Sequence, residues 1–126
     1  MGPVVKYLLD SVILIDHFNG IQAATQFIGD HASESALSVI TRAEVLVGFD
    51  ADTAPLALSL LDLISTLPFT RDEVDLTARL RRSHRWRLPD AIQAAIAYHN
   101  KLTLVTRNTK DYQPGGELEV LIPYVL

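Results

Sequence analysis

The chain contains no cysteine, so a disulfide framework and thiolate-held zinc are both excluded, and an intracellular setting is compatible with its composition. Long hydrophobic runs are missing too. The most apolar stretches lie around Ile92 to Ala97 and Leu56 to Leu61, far short of the roughly 20 residues that span a bilayer. The N-terminus shows no charged region followed by a long apolar one. The expectation is a cytoplasmic protein with no membrane partner. Excess positive charge is absent as well: 11 Lys and Arg against 15 Asp and Glu give a net charge of −4 and a pI near 5.4. That balance argues against broad electrostatic adhesion to nucleic acid. There is no internal repeat, low-complexity segment or linker.

What is present suits one domain over residues 1–126, with 48% hydrophobic and 21% charged residues, an ordinary globular balance with enough material for a proper core. Charge is unevenly placed. Arg79, Arg81, Arg82, Arg85 and Arg87 supply five of the eleven basic residues within nine positions.

The chain is organised around Leu88-Pro89-Asp90-Ala91-Ile92-Gln93-Ala94-Ala95-Ile96-Ala97. Proline suits the first turn of a helix, where its missing N–H is no loss, and Asp90 then sits at the positive end of the helix. Small residues let such a helix pack closely, so it is expected to be buried. A macrodipole partner needs no further purpose, but a carboxylate at the mouth of a buried helix must be paired, hydrogen-bonded or metal-bound.

Around this helix the pattern predicts alternating strands and helices. Val4 to Leu9 reads as a buried strand ending at Asp10, Val12 to Phe18 as a helix closed by Asn19-Gly20, and Ile21 to His31 as a second helix. Ser35 to Val39 suits a second strand, and Thr41-Arg42-Ala43-Glu44 has the form of a capping box opening the next helix. Ala54 to Ile64 reads as a leucine-rich helix, Ser65 to Thr70 as a weak strand or connector, and Asp72 to Trp86 as a long polar helix. Thr103 to Thr106 forms a compact strand, and Leu118 to Leu121 a last edge strand. Alternation of this kind implies a parallel sheet covered on both faces, a three-layer α/β/α fold with about four to five strands.

Ligands of such sheets bind outside the carboxyl ends of the strands, where the strand order reverses. Asp10, Glu44, Asp90, Asn108 and Asp111 all fall in that zone. Each has an ordinary explanation as a cap, turn or dipole partner, but a shared role is the more economical account. Converging carboxylates repel one another unless a cation neutralises them. Oxygen ligands without cysteine select Mg²⁺ or Mn²⁺, which suits attack of water on a phosphodiester.

At these positions the chain resembles the PIN-domain ribonucleases, and among them the VapC-type toxins of toxin–antitoxin pairs. The resemblance runs nearly end to end. Its four motifs are Leu8-Leu9-Asp10-Ser11 with Leu14-Ile15-Asp16, Leu37 to Glu44, Leu88 to Ala95, and Leu104 to Tyr112. It implies a metal-dependent endoribonuclease with Asp10, Glu44 and Asp90 as catalytic metal ligands. Many relatives carry aspartate where this chain has Asn108; others have asparagine there and rely on the position of Asp111, so Asp111 is taken as the fourth acid and Asn108 as a hydrogen-bonding partner. Ser11 takes a small polar role, since Val12 stands where relatives often have a polar residue, and Thr106 is the hydroxyl near the metal. A homodimer using the segment from Ile21 to Leu61 is implied, as is an antitoxin whose arginine could reach Asp10 or Asp90.

Arg107 and Lys110 flank the fourth motif and are read as RNA-backbone contacts, while the arginines at 79 to 87 are either a solvated helix face or a phosphate-binding rim. His17, His31, His84 and His99 show no metal spacing. Asp16 reads as a surface residue or local ion pair, and Trp86 as packing rather than a base-stacking platform. A receiver-like phosphoacceptor domain is a poor alternative, because adjacent acids after the first strand and a lysine after the last are missing. A PIN-fold binding module without catalysis is the remaining one.

Overall fold

A computed structural model describes residues 4–108, 110, 112 and 116–126. Strand β1 (Tyr7–Leu9) leads to α1 (Ser11–Phe18) and α2 (Gln22–His31); after a 3-10 turn come β2 (Ser35–Ser38), α3 (Val39–Leu46) and α4 (Ala54–Leu61). Then follow β3 (Ser65–Leu67), α5 (Arg71–His84), α6 (Leu88–His99), β4 (Thr103–Val105) and β5 (Val120–Leu121). The five strands pair in parallel in the order β3-β2-β1-β4-β5.

Adjacent residues of each central strand point to opposite faces, so the sheet divides the core in two. Leu8, Ala36 and Leu104 pack under α5 and α6 with Leu80, Ala91, Ala94 and Ala95. Leu9, Leu37 and Val105 pack under the earlier helices with Ile13, Leu14, Ile28, Val45 and Leu61. Leu8, Leu9, Leu37 and Leu104 are fully buried, each contributing about 1.5–3 kcal/mol of hydrophobic stabilisation. The alanines of α6 let it lie flush on the sheet, as their sequence implied. No helix among the described residues is long and apolar enough to cross a membrane.

From β1 the chain first builds outward through β2 to β3, then returns along α5 and α6 to place β4 on the other side of β1. The reversal therefore lies between β1 and β4. Asp10 follows the first of these strands and Thr106 the second.

Two local expectations are corrected. Helix α3 begins at Val39, not Thr41: Ser38 closes β2 and caps the helix, its Oγ accepting the N–H of Thr41 at 3.0 Å. Thr41 is a buried residue inside the helix, and the reciprocal capping box is at Thr70 and Glu73 on α5. Asp16 is not on the surface. It is 5% exposed, held by residues more than ninety positions away.

A carboxylate cleft at the strand-order reversal

Asp10 is fixed from several directions. Its N–H donates to the carbonyl of Val105 at 2.9 Å, extending the β1–β4 ladder by one step. One carboxylate oxygen accepts the N–H of Ser11 at 2.9 Å, which makes Asp10 the N-cap of α1. The other accepts the hydroxyl of Thr106 at 2.8 Å. Thr106 in turn accepts the N–H of Asn108 at 3.0 Å, so this hydroxyl sets both the acid and the start of the fourth motif.

Asp90 stands in the first turn of α6, which opens at Leu88 and carries Pro89 as its second residue. Its carbonyl accepts the hydroxyl of the buried Tyr112 at 2.7 Å, anchoring that turn to the segment after β4. Glu44 projects from α3 at the exposed rim. Partial burial pushes its carboxyl above the ordinary glutamate value, and the charge of Asp10 adds to the rise; a hydrogen bond with Ser11 opposes it, and Asp90 adds a smaller push upward. Glu44 thus senses both other acids across the same space. That space is an open cleft of about 470 Å³ lined by Asp10, Ser11, Val12, Glu44, Pro89, Asp90 and Gln93 together with Arg107, Asn108 and Lys110.

Gln93, three residues after Asp90 and hence on the same helix face, was not singled out by the sequence. It is 2% exposed. Its amide oxygen accepts the Ser38 hydroxyl at 2.8 Å, while its amide nitrogen donates to the Thr41 hydroxyl and, at 3.4 Å, to Asp10. One side chain therefore ties β2, α3 and α6 to Asp10. The available signal was a lone amide on the buried alanine face, which needs partners wherever it points.

Arg107 lines the cleft, but its guanidinium is occupied. Nε and one terminal nitrogen donate to the two oxygens of Asp16 at 2.6 and 3.0 Å, and the Tyr124 hydroxyl donates to the same carboxylate at 2.8 Å. The Arg107 bond holds the Asp16 carboxyl below the ordinary aspartate value against the cost of burial. Desolvation, with the bond to Asp16, pushes the Tyr124 phenol well above its usual range. Lys110 and Asn108 line the cleft as well, whereas Asp111 lies outside the described residues. Trp86 is nearly buried, stacked on His84 with ring centroids 4.1 Å apart and tilted against Tyr112. His31 pairs with Glu34 and His84 with Glu117.

The donor set suits a hard divalent cation, since Asp10, Glu44 and Asp90 line one cleft and offer only oxygen. Among the described residues no three acidic or histidine side chains are gathered closely enough to chelate one ion as they stand.

The sequence profile of the PIN domain matches residues 7–114. Among solved structures, a toxin–antitoxin complex from Klebsiella pneumoniae contains a chain that is 33% identical, with a TM-score of 0.86 over 96% of this chain and 100% of that one. The DNA-bound VapBC of Salmonella typhimurium is similar in fold at 17% identity and TM-score 0.79, over 94% of this chain and 98% of the other. FitAcB of Neisseria gonorrhoeae is similar at 22% identity and TM-score 0.79, over 95% and 99%. None of the curated proteins compared matches the chain. Fold, motif order and profile agree, and the chain belongs to the PIN-domain family.

Proposed function

We propose that this protein is a metal-dependent endoribonuclease and the toxin of a VapBC-type pair. The observation that carries this reading is the convergence of Asp10, Glu44 and Asp90, from three separate elements, on one cleft at the strand-order reversal, where burial first and the charges of Asp10 and Asp90 after it raise the Glu44 carboxyl. Oxygen donors brought to one cleft from three elements suit a cation.

Asp10, Glu44 and Asp90 would hold Mg²⁺ or Mn²⁺, with Asp111 as the proposed fourth ligand. A bound ion of this class activates water and offsets charge on the leaving oxygen of a phosphodiester. The chain's own residues do the rest. The hydroxyl of Thr106 and the amide of Gln93 orient Asp10, and Ser11 lines the cleft beside Glu44. Lys110, at the cleft wall, is placed to attract the substrate backbone, and Asn108 to orient it. Arg107, paired with Asp16, contributes its remaining charge to the same wall.

The toxin assignment draws on the similarity to the Klebsiella toxin–antitoxin complex and to VapBC and FitAB structures. That similarity supports a cognate antitoxin as partner; a second copy of the chain as a further partner and a cytoplasmic setting are part of the proposal. An antitoxin arginine entering the cleft would neutralise Asp10 or Asp90 in place of the ion.

Induced expression in a bacterial host tests this reading. Growth arrest with wild-type protein, relieved by Asp90→Asn and accompanied by RNAs cut at one class of site, supports it. Equal arrest by the variant, or unimpaired growth at high soluble expression, contradicts it.

A further inference from the structure

Next to the acidic cleft, across the start of α6, lies a second open hollow of about 520 Å³ lined by Ala78, Arg81, Arg82, Arg85, Trp86 and Leu88. Leu88 walls this hollow while the next residues, Pro89 and Asp90, wall the cleft. The two openings therefore share the first turn of one helix.

The charge of the hollow is unbalanced. Arg81, Arg82 and Arg85 are exposed, and among the described residues no carboxylate forms an ion pair with any of them. Glu117 is already held by Arg79 at 2.9 Å and His84 at 3.4 Å. The acids of α5 itself, Asp72, Glu73 and Asp75, sit in its other half. Attraction to the helix dipole favours Arg81 and Arg82 in the last turn and Arg85 at the C-cap, but it does not require all three to line one hollow. Arg85 occupies the left-handed region at φ 57°, where a helix C-terminus ordinarily carries glycine.

We infer that this hollow binds the phosphodiester backbone of single-stranded RNA flanking the segment held in the acidic cleft. The inference rests on reading the cleft as a nuclease site, because a strand held beside Asp90 and continuing over the α6 N-terminus meets this hollow next. Guanidinium groups take phosphate oxygens in a two-pronged fashion. The Trp86 ring is already stacked on His84, so the hollow grips the backbone and reads no base.

The test is binding of a short labelled single-stranded RNA in EDTA, where no metal-dependent cleavage occurs, over a range of salt. Wild-type protein is compared with Arg82→Gln/Arg85→Asn, asparagine being chosen because it tolerates the left-handed region. Arg71→Gln, at the opposite end of α5, is the control, and a poly-glutamate peptide is a second probe. The double variant is expected to bind RNA about tenfold more weakly at low salt, with a log–log salt slope shallower by about 1.4, the loss of two phosphate contacts; the control is expected to match wild type. Unchanged RNA affinity and slope overturn the inference. So does failure of the wild type to bind RNA in EDTA, or a loss confined to the acidic peptide, which points to a protein tail instead. Cleavage assays on the same samples separate the two claims. A wild type that cuts RNA while both variants bind equally removes only the hollow; one that cuts nothing while the double variant loses RNA binding removes only the nuclease.

Discussion

The guanidinium of Arg107 grips both oxygens of Asp16 at 2.6 and 3.0 Å, tying the residue after Thr106 to the helix that Asp10 caps. Asp16 is 7% exposed and Arg107 30% exposed at the side chain, so removing the cation leaves a buried anion with only the Tyr124 hydroxyl. Arg107→Ala is expected to cost about 2–4 kcal/mol by urea denaturation, with Arg107→Ala/Asp16→Asn recovering part of it. RNA binding is expected to weaken as well, while metal binding persists. Stability unaffected by Arg107→Ala would place the pair in solvent.

The same pair sets an acid limit. Because Arg107 holds the folded Asp16 below the ordinary value of 3.8, its contribution is present above that pH and is lost as pH falls through the folded value. Thermal melts of wild type and Asp16→Asn are expected to converge toward the acid end and diverge near neutrality.

Glu44 has the opposite sign. Its folded carboxyl binds a proton more tightly than the ordinary value of 4.5 implies, so its effect on stability becomes less favourable as pH rises through the interval above 4.5. Carboxyl-carbon NMR of the metal-free protein is expected to show the raised titration, and Asp10→Asn to lower it. Saturating Mn²⁺ at neutral pH is expected to raise the melting temperature, by about 2.7 kcal/mol of stability at a hundred times Kd. Glu44→Gln would lose most of that increment.

Thr106 and Gln93 act through Asp10. Thr106→Ser keeps the hydroxyl and is expected to keep activity; Thr106→Val is expected to slow RNA cleavage about ten- to hundredfold, as misplaced catalytic groups do. Gln93→Leu is expected to destabilise by about 1–3 kcal/mol, since it strands the Ser38 hydroxyl and one bond to Asp10. Equal turnover in Thr106→Val and Thr106→Ser would remove the positioning role.

The layers and the location of the cleft were legible in the sequence, because strand–helix alternation, the apolar pairs Leu8-Leu9 and Leu104-Val105, and Pro89 before Asp90 all obey local rules. Long-range partners were not. The burial of Asp16 depends on Arg107 and Tyr124, more than ninety positions away in sequence, and nothing near Asp16 announces them. The start of α3 was misplaced for a related reason: Ser38 and Thr41 both make plausible caps, and the choice is made by Gln93, which accepts from the hydroxyl of Ser38 and donates to that of Thr41. Arg107 lines the cleft, but sequence spacing could not show that its guanidinium is engaged by Asp16.

Cleavage of a total small-RNA pool by purified wild-type protein with Mn²⁺ or Mg²⁺, beside EDTA and Asp90→Asn controls, tests the central claim most directly. Discrete fragments that need the metal and vanish in the variant are the expected result, and their ends would define the target. No cleavage at any metal concentration, by folded protein free of a bound partner, would contradict it and leave the chain a PIN-fold binding module without catalysis.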